Sequence, residues 1–381
     1  MAPDRTRLSP PAPTWAIVAG GGTAGHLLPG LAVARALVQR GHDPASIHFV
    51  GSDRGVEAAM VPAAGFSFDE LPGRGIQRRF TLQNLGAVVG LLRATGRGAA
   101  IVARRRPAVV IALGGHASLA CGVGAALARR PLVLLEQNVR AGAVNRLLRR
   151  FCAASAVSFP GTDLPRAVVT GNPLRSEVAE ASAAPDASAA REELGLPTDR
   201  HVIGVFSGSL GSRHINTVVR GLVERWADRS DIAIRHVIGR RDWALDGAKA
   251  PRVIEGGLLY QSIEYEDRMH LLLQAADVVV TRAGGTVAEL AAFGVPAVLV
   301  PLPIATRDHQ TANAAAVVAG GGAVTVADAE LDVDRLDAEL GGMLDDPARL
   351  ARMGEAMRAM ARPDAAERVA DLVESVSGTS L

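Results

Sequence analysis

The chain has 381 residues, 48% of them hydrophobic and 21% charged, with a formal net charge of +2. That length suffices for two domains with a core each; the composition excludes a disordered chain, and the near balance of charge argues against a dedicated nucleic-acid binder. Lys249 is the lone lysine, and Cys121 and Cys152 are isolated in apolar surroundings, where they read as small hydrophobes in a reducing cytosol and not as metal ligands.

Residues 1–14 are rich in proline and charge and lack the apolar run of a signal peptide, so they read as a tail. No run of about 18 uncharged apolar residues follows, which predicts that nothing spans a membrane. Residues 15–19 form a short apolar run, the pattern of a strand covered on both faces. Gly20, Gly21, Gly22 and Gly25 let the backbone turn sharply and come close to a ligand. A helix over 30–39 then points its free N–H groups and positive dipole end at that turn, a geometry that suits phosphate. His26 adds a titratable side chain at the lip of the turn. Taken alone, Gly20-x-Gly22-x-x-Gly25, with Asp53 near the end of a second strand at 47–50, equally fits an NAD-type fingerprint or a structural turn.

Further strands are expected at 109–113, running into Gly114-Gly-His-Ala-Ser118, at 132–135, running into Glu136-Gln-Asn138, and at 156–159 and 168–171. Helical segments lie between most of them, and that alternation implies a parallel, doubly wound sheet. The stretch 177–190 is rich in Ala, Ser, Pro and Asp without a strand pattern and reads as a connection between domains. The grammar then restarts. A strand at 201–206 precedes the glycine turn 207–212 and a helix over 215–225; strands follow at 232–238, 277–281 and 297–300, with helices at 286–293, 349–360 and 365–376. Two such halves facing each other form a cleft, and ligands belong there, at the C-terminal ends of the strands.

Five segments occur in order: Gly20-Gly-Gly-Thr-Ala-Gly-His26, Gly114-Gly-His-Ala-Ser118, Glu136-Gln-Asn138, Gly171-Asn-Pro-Leu-Arg175 and Arg282-Ala-Gly-Gly-Thr-Val-Ala-Glu289. The set resembles the MurG family of N-acetylglucosaminyltransferases from about residue 15 to residue 376. The resemblance implies an α/β protein of GT-B fold, with two Rossmann-like doubly wound parallel-sheet domains facing a cleft. It implies a tail over 1–14, an acceptor- and membrane-side domain over 15–174, a connection over 175–199, a UDP-GlcNAc-binding domain over 200–361 and a last helix, 362–381, returning to the first domain. The implied reaction is inverting transfer of GlcNAc from UDP-GlcNAc to the C4 hydroxyl of MurNAc in lipid I, forming lipid II for peptidoglycan. It implies no cofactor, a peripheral location on the cytoplasmic face of the bacterial cell membrane, and partners among cell-wall synthesis and division proteins.

Residue by residue, the resemblance places Thr23, Ala24 and Gly25 by the donor sugar and diphosphate. Asn138 and Gln310 fall near the sugar, Arg175 on UDP, and Ser209 near the diphosphate. Thr286, Val287, Ala288 and Glu289 match the helix start that holds phosphate and ribose, and Glu266 is the nearest position to the uracil contact. The sequence departs from the family pattern in four places. Ala24 replaces a glycine, Leu135 replaces the histidine of His-Glu-Gln-Asn, the loop from Arg282 to Glu289 is one residue shorter, and Glu266 stands where a hydrophobic residue is usual.

The chemistry agrees with that reading. Glycosyl transfer builds negative charge on the departing UDP, which oriented N–H groups and Arg175 can stabilise. Inversion needs a base to take the acceptor proton, and His26 is the candidate; His116 and Glu136 are secondary candidates near the cleft. Asp332-Val-Asp334 matches a metal-binding Asp-x-Asp pattern but precedes an amphipathic helix and reads as a helix cap. The segment 74–93 mixes Arg74, Arg78, Arg79 and Arg93 with Ile76, Phe80, Leu82, Leu85, Leu91 and Leu92, which suits an anionic membrane surface or a core-packed helix. Two other classes stay open: a GT-B glycosyltransferase with a different acceptor, and a sugar-nucleotide binder or NAD-type epimerase. The second glycine turn and the lack of a Tyr-x-x-x-Lys pair count against the epimerase.

Overall fold

The apolar run after residue 15 forms strand β1 (Ala16–Ala19), and all four residues are buried. It lies inside a seven-stranded parallel sheet in a computed structural model that describes residues 13–21, 24–53, 56–72, 83–246 and 257–378. The first half continues as α1 (Ala24–Gln39), β2 (Ile47–Ser52), α2 (Glu57–Ala63), β3 (Ser67–Leu71), α3 (Gln83–Arg105), β4 (Val109–Ala112), α4 (Gly115–Leu127), β5 (Leu132–Glu136), α5 (Ala143–Leu148), β6 (Ala154–Val157) and β7 (Ala167–Val169). The strand order is β3-β2-β1-β4-β5-β6-β7, and every pairing is parallel, with Val18 opposite Phe49 on one side and Ile111 on the other.

The helices α6 (Ser176–Ala183) and α7 (Ala187–Leu194) come next. The stretch expected as a plain connection is thus helical. Its alanines favour helix, Asp186 caps α7 through the Ala189 N–H, and Gly195 ends it in the left-handed conformation. Leu174, Val178, Ala190 and Leu194 pack in the core of the second half.

The second half holds β8 (His201–Phe206), α8 (Arg213–Arg225), β9 (Ile232–Val237), α9 (Arg240–Asp246), β10 (Leu259–Ile263), α10 (Met269–Ala275), β11 (Val278–Thr281), α11 (Thr286–Phe293), β12 (Ala297–Leu299), α12 (His309–Ala319), β13 (Ala323–Thr325), α13 (Val333–Leu344), α14 (Pro347–Met360) and α15 (Ala365–Ser377). Its parallel sheet runs β10-β9-β8-β11-β12-β13. The fold is the expected pair of doubly wound sheets. α15 crosses back: Val369, Ala370 and Val373 fill the core of the first sheet beside Val18, Leu27 and Val33, and Glu374 takes Arg40 at 2.9 Å and His42 at 3.0 Å.

One local reading changes and another holds. α1 begins at Ala24 and carries Pro29 inside it, so His26 sits in the first turn of the helix and not in the loop before it. Proline can give no N–H to the Gly25 carbonyl but fits helical φ, so the helix continues through it. Asp332 caps α13 through the Arg335 N–H, and Asp334 pairs with Arg225 at 2.6 Å.

Candidate active site

The glycine loops after β1 and β4 meet back to back. Gly21 has φ +130° and Gly115 φ +83°. A Cβ on Gly115 would lie 2.9 Å from the Gly21 carbonyl oxygen, and one on Gly21 would overlap the Glu57 carboxylate, so only glycine allows this approach. Ser118 locks the junction: its Oγ accepts from the Gly114 N–H at 2.9 Å and donates to the Ala19 carbonyl at 2.5 Å.

His26 reaches this junction from α1, and a Cβ on Gly114 would lie 3.5 Å from its Nε2. Burial pushes the His26 pKa below its ordinary 6.5; the Glu136 charge pulls it up, that of His309 pushes it down, and that of Glu57 pulls it up. The balance leaves a neutral imidazole at neutral pH, able to accept a proton. The His116 Nε2 is buried and makes no hydrogen bond in the structure.

The loop after β5 is organised by one carboxylate. Glu136 Oε1 accepts from the Asn138 N–H at 3.1 Å and Asn138 Nδ2 at 3.0 Å, while Oε2 accepts from the Gly142 N–H at 2.8 Å and Asn145 Nδ2 at 2.9 Å. A carboxylate offers about four acceptor positions, so these bonds fill Glu136 and fix the shape of the loop. Asn138 also meets the second half, through Asn313 of α12.

Between the two sets of strand ends is a cavity of about 340 Å3 whose walls include Gly25, Arg175, Ser209, Glu266, Thr286 and Glu289. Six residues expected at the donor nucleotide therefore share one space. Thr286 opens α11 and Glu289 sits in its first turn, so the positive end of that helix faces the cavity. Arg175, at the start of α6, sends Nε and Nη2 to Glu289 Oε1 at 3.3 and 3.1 Å. Burial raises the Glu289 pKa above its usual 4.5, against the pull of Arg175.

Several of the expected residues also have structural partners. Val287 and Ala288 line a neighbouring cavity of about 410 Å3 with Gln137 and Asn172, and their N–H groups are held by the Gly284 and Gly285 carbonyls at 3.2 Å each. Gln310 holds the loop after β12, accepting from the Leu302 N–H at 2.9 Å. Glu266 is 5% exposed and binds Arg235 at 2.6 Å. Arg235 is itself buried in the middle of β9, and a buried guanidinium requires a counter-charge. That need explains why an acid stands at a position expected to be apolar. Its neighbour Tyr265, unremarked in the sequence, is 39% exposed on the same cavity wall, with the Arg240 guanidinium 4.2 Å from its ring centre. Thr23 lies outside the described residues, as does the side chain of Ala24.

Residues 16–157 match the model of the glycosyltransferase family 28 N-terminal domain and residues 202–369 that of its C-terminal domain. A UDP-N-acetylglucosamine–N-acetylmuramyl-(pentapeptide) pyrophosphoryl-undecaprenol N-acetylglucosamine transferase from Clavibacter michiganensis subsp. michiganensis is 40% identical, over 94% of this chain and 95% of that protein. The same-named enzyme of Desulforudis audaxviator is 34% identical over 95% and 98%. The crystal structure of Acinetobacter baumannii MurG superposes with a TM-score of 0.73 at 26% identity, covering 95% of this chain and all of that one. The chain belongs to the MurG family of glycosyltransferases. Within the MurG family frame, Leu135 lies in β5 at 1% exposure, where a histidine would be buried among apolar neighbours. Arg282 pins the short loop before α11, with Nη1 donating to the Val300 and Pro301 carbonyls at 3.1 and 3.0 Å and pairing with Asp328 at 2.7 Å.

Proposed function

We propose that this chain transfers GlcNAc from UDP-GlcNAc to the C4 hydroxyl of MurNAc in lipid I, with inversion, to give lipid II. The observation that carries the reading is the cavity between the two sheets, where Gly25 of the first half faces Arg175, Ser209, Thr286 and Glu289. A nucleotide diphosphate fits that set. Glu289 can accept from ribose hydroxyls, and Arg175 and the N-terminus of α11 can take the phosphates.

In the transfer, the acceptor oxygen forms its bond to the anomeric carbon as the bond to the β-phosphate oxygen breaks. The electron pair leaves with UDP, where Arg175 and the helix end stabilise it. The acceptor proton passes to His26, whose burial keeps it unprotonated beforehand. Asn138 and Gln310 orient the sugar.

The acceptor is a lipid, and no helix among the described residues is long and apolar enough to cross a membrane. The proposed arrangement is peripheral, at the cytoplasmic face. Of the segment 74–93, residues 74–82 lie outside the described residues, as do the side chains of 83–89; the described side chains include the exposed Leu92 and Arg93. A further surface supports the reading: Leu147 is 63% and Phe151 57% exposed, among the exposed Arg146, Arg149 and Arg150. A cluster of that composition suits an anionic interface.

The test is incubation of the purified protein with UDP-GlcNAc and a lipid I analogue. Release of UDP in step with a β-linked disaccharide product is expected; hydrolysis of UDP-GlcNAc without disaccharide, or transfer only to an unrelated acceptor, would overturn the reading.

A further inference from the structure

Asn313 is fully buried on α12 and makes three hydrogen bonds to two segments, the loop at Asn138 and Val139 and the turn before α11. Its Oδ1 accepts from the Val139 N–H at 3.0 Å, and its Nδ2 donates to the Ala283 carbonyl at 3.0 Å and to Asn138 Oδ1 at 3.0 Å. The first two partners are backbone groups, one only a donor and the other only an acceptor, so they fix which way the Asn313 amide faces. That orientation forces Asn138 to present its oxygen to Asn313. On its other side Asn138 presents Nδ2 to the Glu136 carboxylate, which can only accept. Every donor and acceptor in the chain Ala283–Asn313–Asn138–Glu136 has one consistent assignment.

We propose that Asn313 is the positioning residue for the donor sugar: it sets the rotamer and amide orientation of Asn138 from the opposite half of the molecule. Asn138 keeps one Nδ2 hydrogen and one lone pair of Oδ1 beyond these bonds, and those remain for the hydroxyl and acetamido groups of a bound hexosamine. Because Asn313 also holds the Ala283 carbonyl, just before the Gly284-Gly285 turn into α11, it ties the sugar end of the site to the phosphate end. Asn313 itself is 0% exposed and touches no substrate.

This inference rests on Asn138 acting at the sugar, as proposed above, and the test separates the two. Binding of UDP and of UDP-GlcNAc, and the KM and kcat for transfer, are measured for wild type, Asn138→Ala, Asn313→Ala, Asn313→Asp and the Asn138→Ala/Asn313→Ala double variant. Asn138→Ala should raise the KM for UDP-GlcNAc about tenfold, as expected for one well-placed hydrogen-bonding group. Asn313→Ala and Asn313→Asp should do the same while changing the Kd for UDP, which has no sugar, by less than about twofold. The double variant should be no worse than Asn138→Ala alone, since residues acting through one contact are not additive. If Asn138→Ala leaves UDP-GlcNAc unaffected, the sugar role of Asn138 fails. If Asn138→Ala weakens UDP-GlcNAc but the Asn313 variants do not, or weaken UDP equally, the positioning role is overturned. The carboxylate of Asn313→Asp keeps an acceptor for the Val139 N–H, so it serves where Asn313→Ala does not fold.

Discussion

Arg175 and Glu289 meet at the cavity wall, guanidinium Nη2 3.1 Å from carboxylate Oε1, one at the start of α6 and one in the first turn of α11. Each is also a proposed ligand of the donor, the arginine for phosphate and the glutamate for ribose. The arriving nucleotide therefore has to take both partners from one another. Glu289→Ala is expected to raise the KM for UDP-GlcNAc about tenfold or more, since a charged hydrogen bond contributes roughly 1.5–3 kcal/mol. An unchanged KM in a folded Glu289→Ala protein would remove the ribose role.

His26→Ala should lower kcat by roughly 10²–10⁴-fold, the usual contribution of a general base, with UDP binding retained. Burial holds the His26 pKa below 6.5, so wild-type kcat should stay level as pH falls to that value and drop only below it. The acid limb should be absent from the residual activity of His26→Ala. Wild-type turnover in the variant would make His26 structural.

Changing Leu147 and Phe151 together to Ser should weaken binding to anionic vesicles, and Arg149→Glu with Arg150→Glu should weaken it at low salt only. The arginine effect should be roughly fivefold for each charge lost, from about 1 kcal/mol per arginine near an anionic surface, and it should fade as salt rises. Activity on a long-chain lipid acceptor should fall more than on a short-chain soluble one. Equal vesicle binding by all variants would place the membrane face elsewhere.

A last prediction concerns stability. His236 is completely buried; Asn216 Nδ2 donates to the Ile238 carbonyl, which leaves Oδ1 to accept from His236 Nε2 at 3.0 Å, while Tyr260 hydroxyl lies 3.0 Å from Nδ1. Burial pushes its pKa down to about 3. As pH falls the unfolded chain takes up the proton first, so the stability this site contributes is complete above pH 6.5. It should decline below that by about 1.4 kcal/mol per pH unit. Denaturant titrations from pH 7 to pH 5 should show the slope, and His236→Gln should lack that component. A variant with the wild-type slope would assign the loss to other groups.

The central strands were legible because each is a continuous apolar run buried on both faces, as Ile17 and Val280 are. The strands that sequence reading passed over, β3, β10 and β13, are all sheet edges. With Asp69 and Glu70 in one and Gln261 in another, edges carry polar residues that mask the pattern. At the site, glycine turns and helix starts announced themselves through residue type. Asn313 did not, because a buried asparagine is defined by partners far along the chain; its one sequence mark is its place three residues after Gln310, on the same helix face. The reason an acid stands at position 266 was hidden in a related way: its partner Arg235 is 31 positions away.

The return of α15 to the first sheet makes the molecule a closed circuit. Arg40 bonds Glu374 across 334 intervening steps of chain, and Val369 and Val373 complete a core begun by Ala16 and Val18. Domains emerging from a ribosome generally fold in the order they are made. Here the core of the first sheet is sealed by a helix made after the whole second sheet. Its nascent form exposes an apolar groove beside α1 until α15 has been made, and loss of α15 would undo a core more than 300 residues upstream of it.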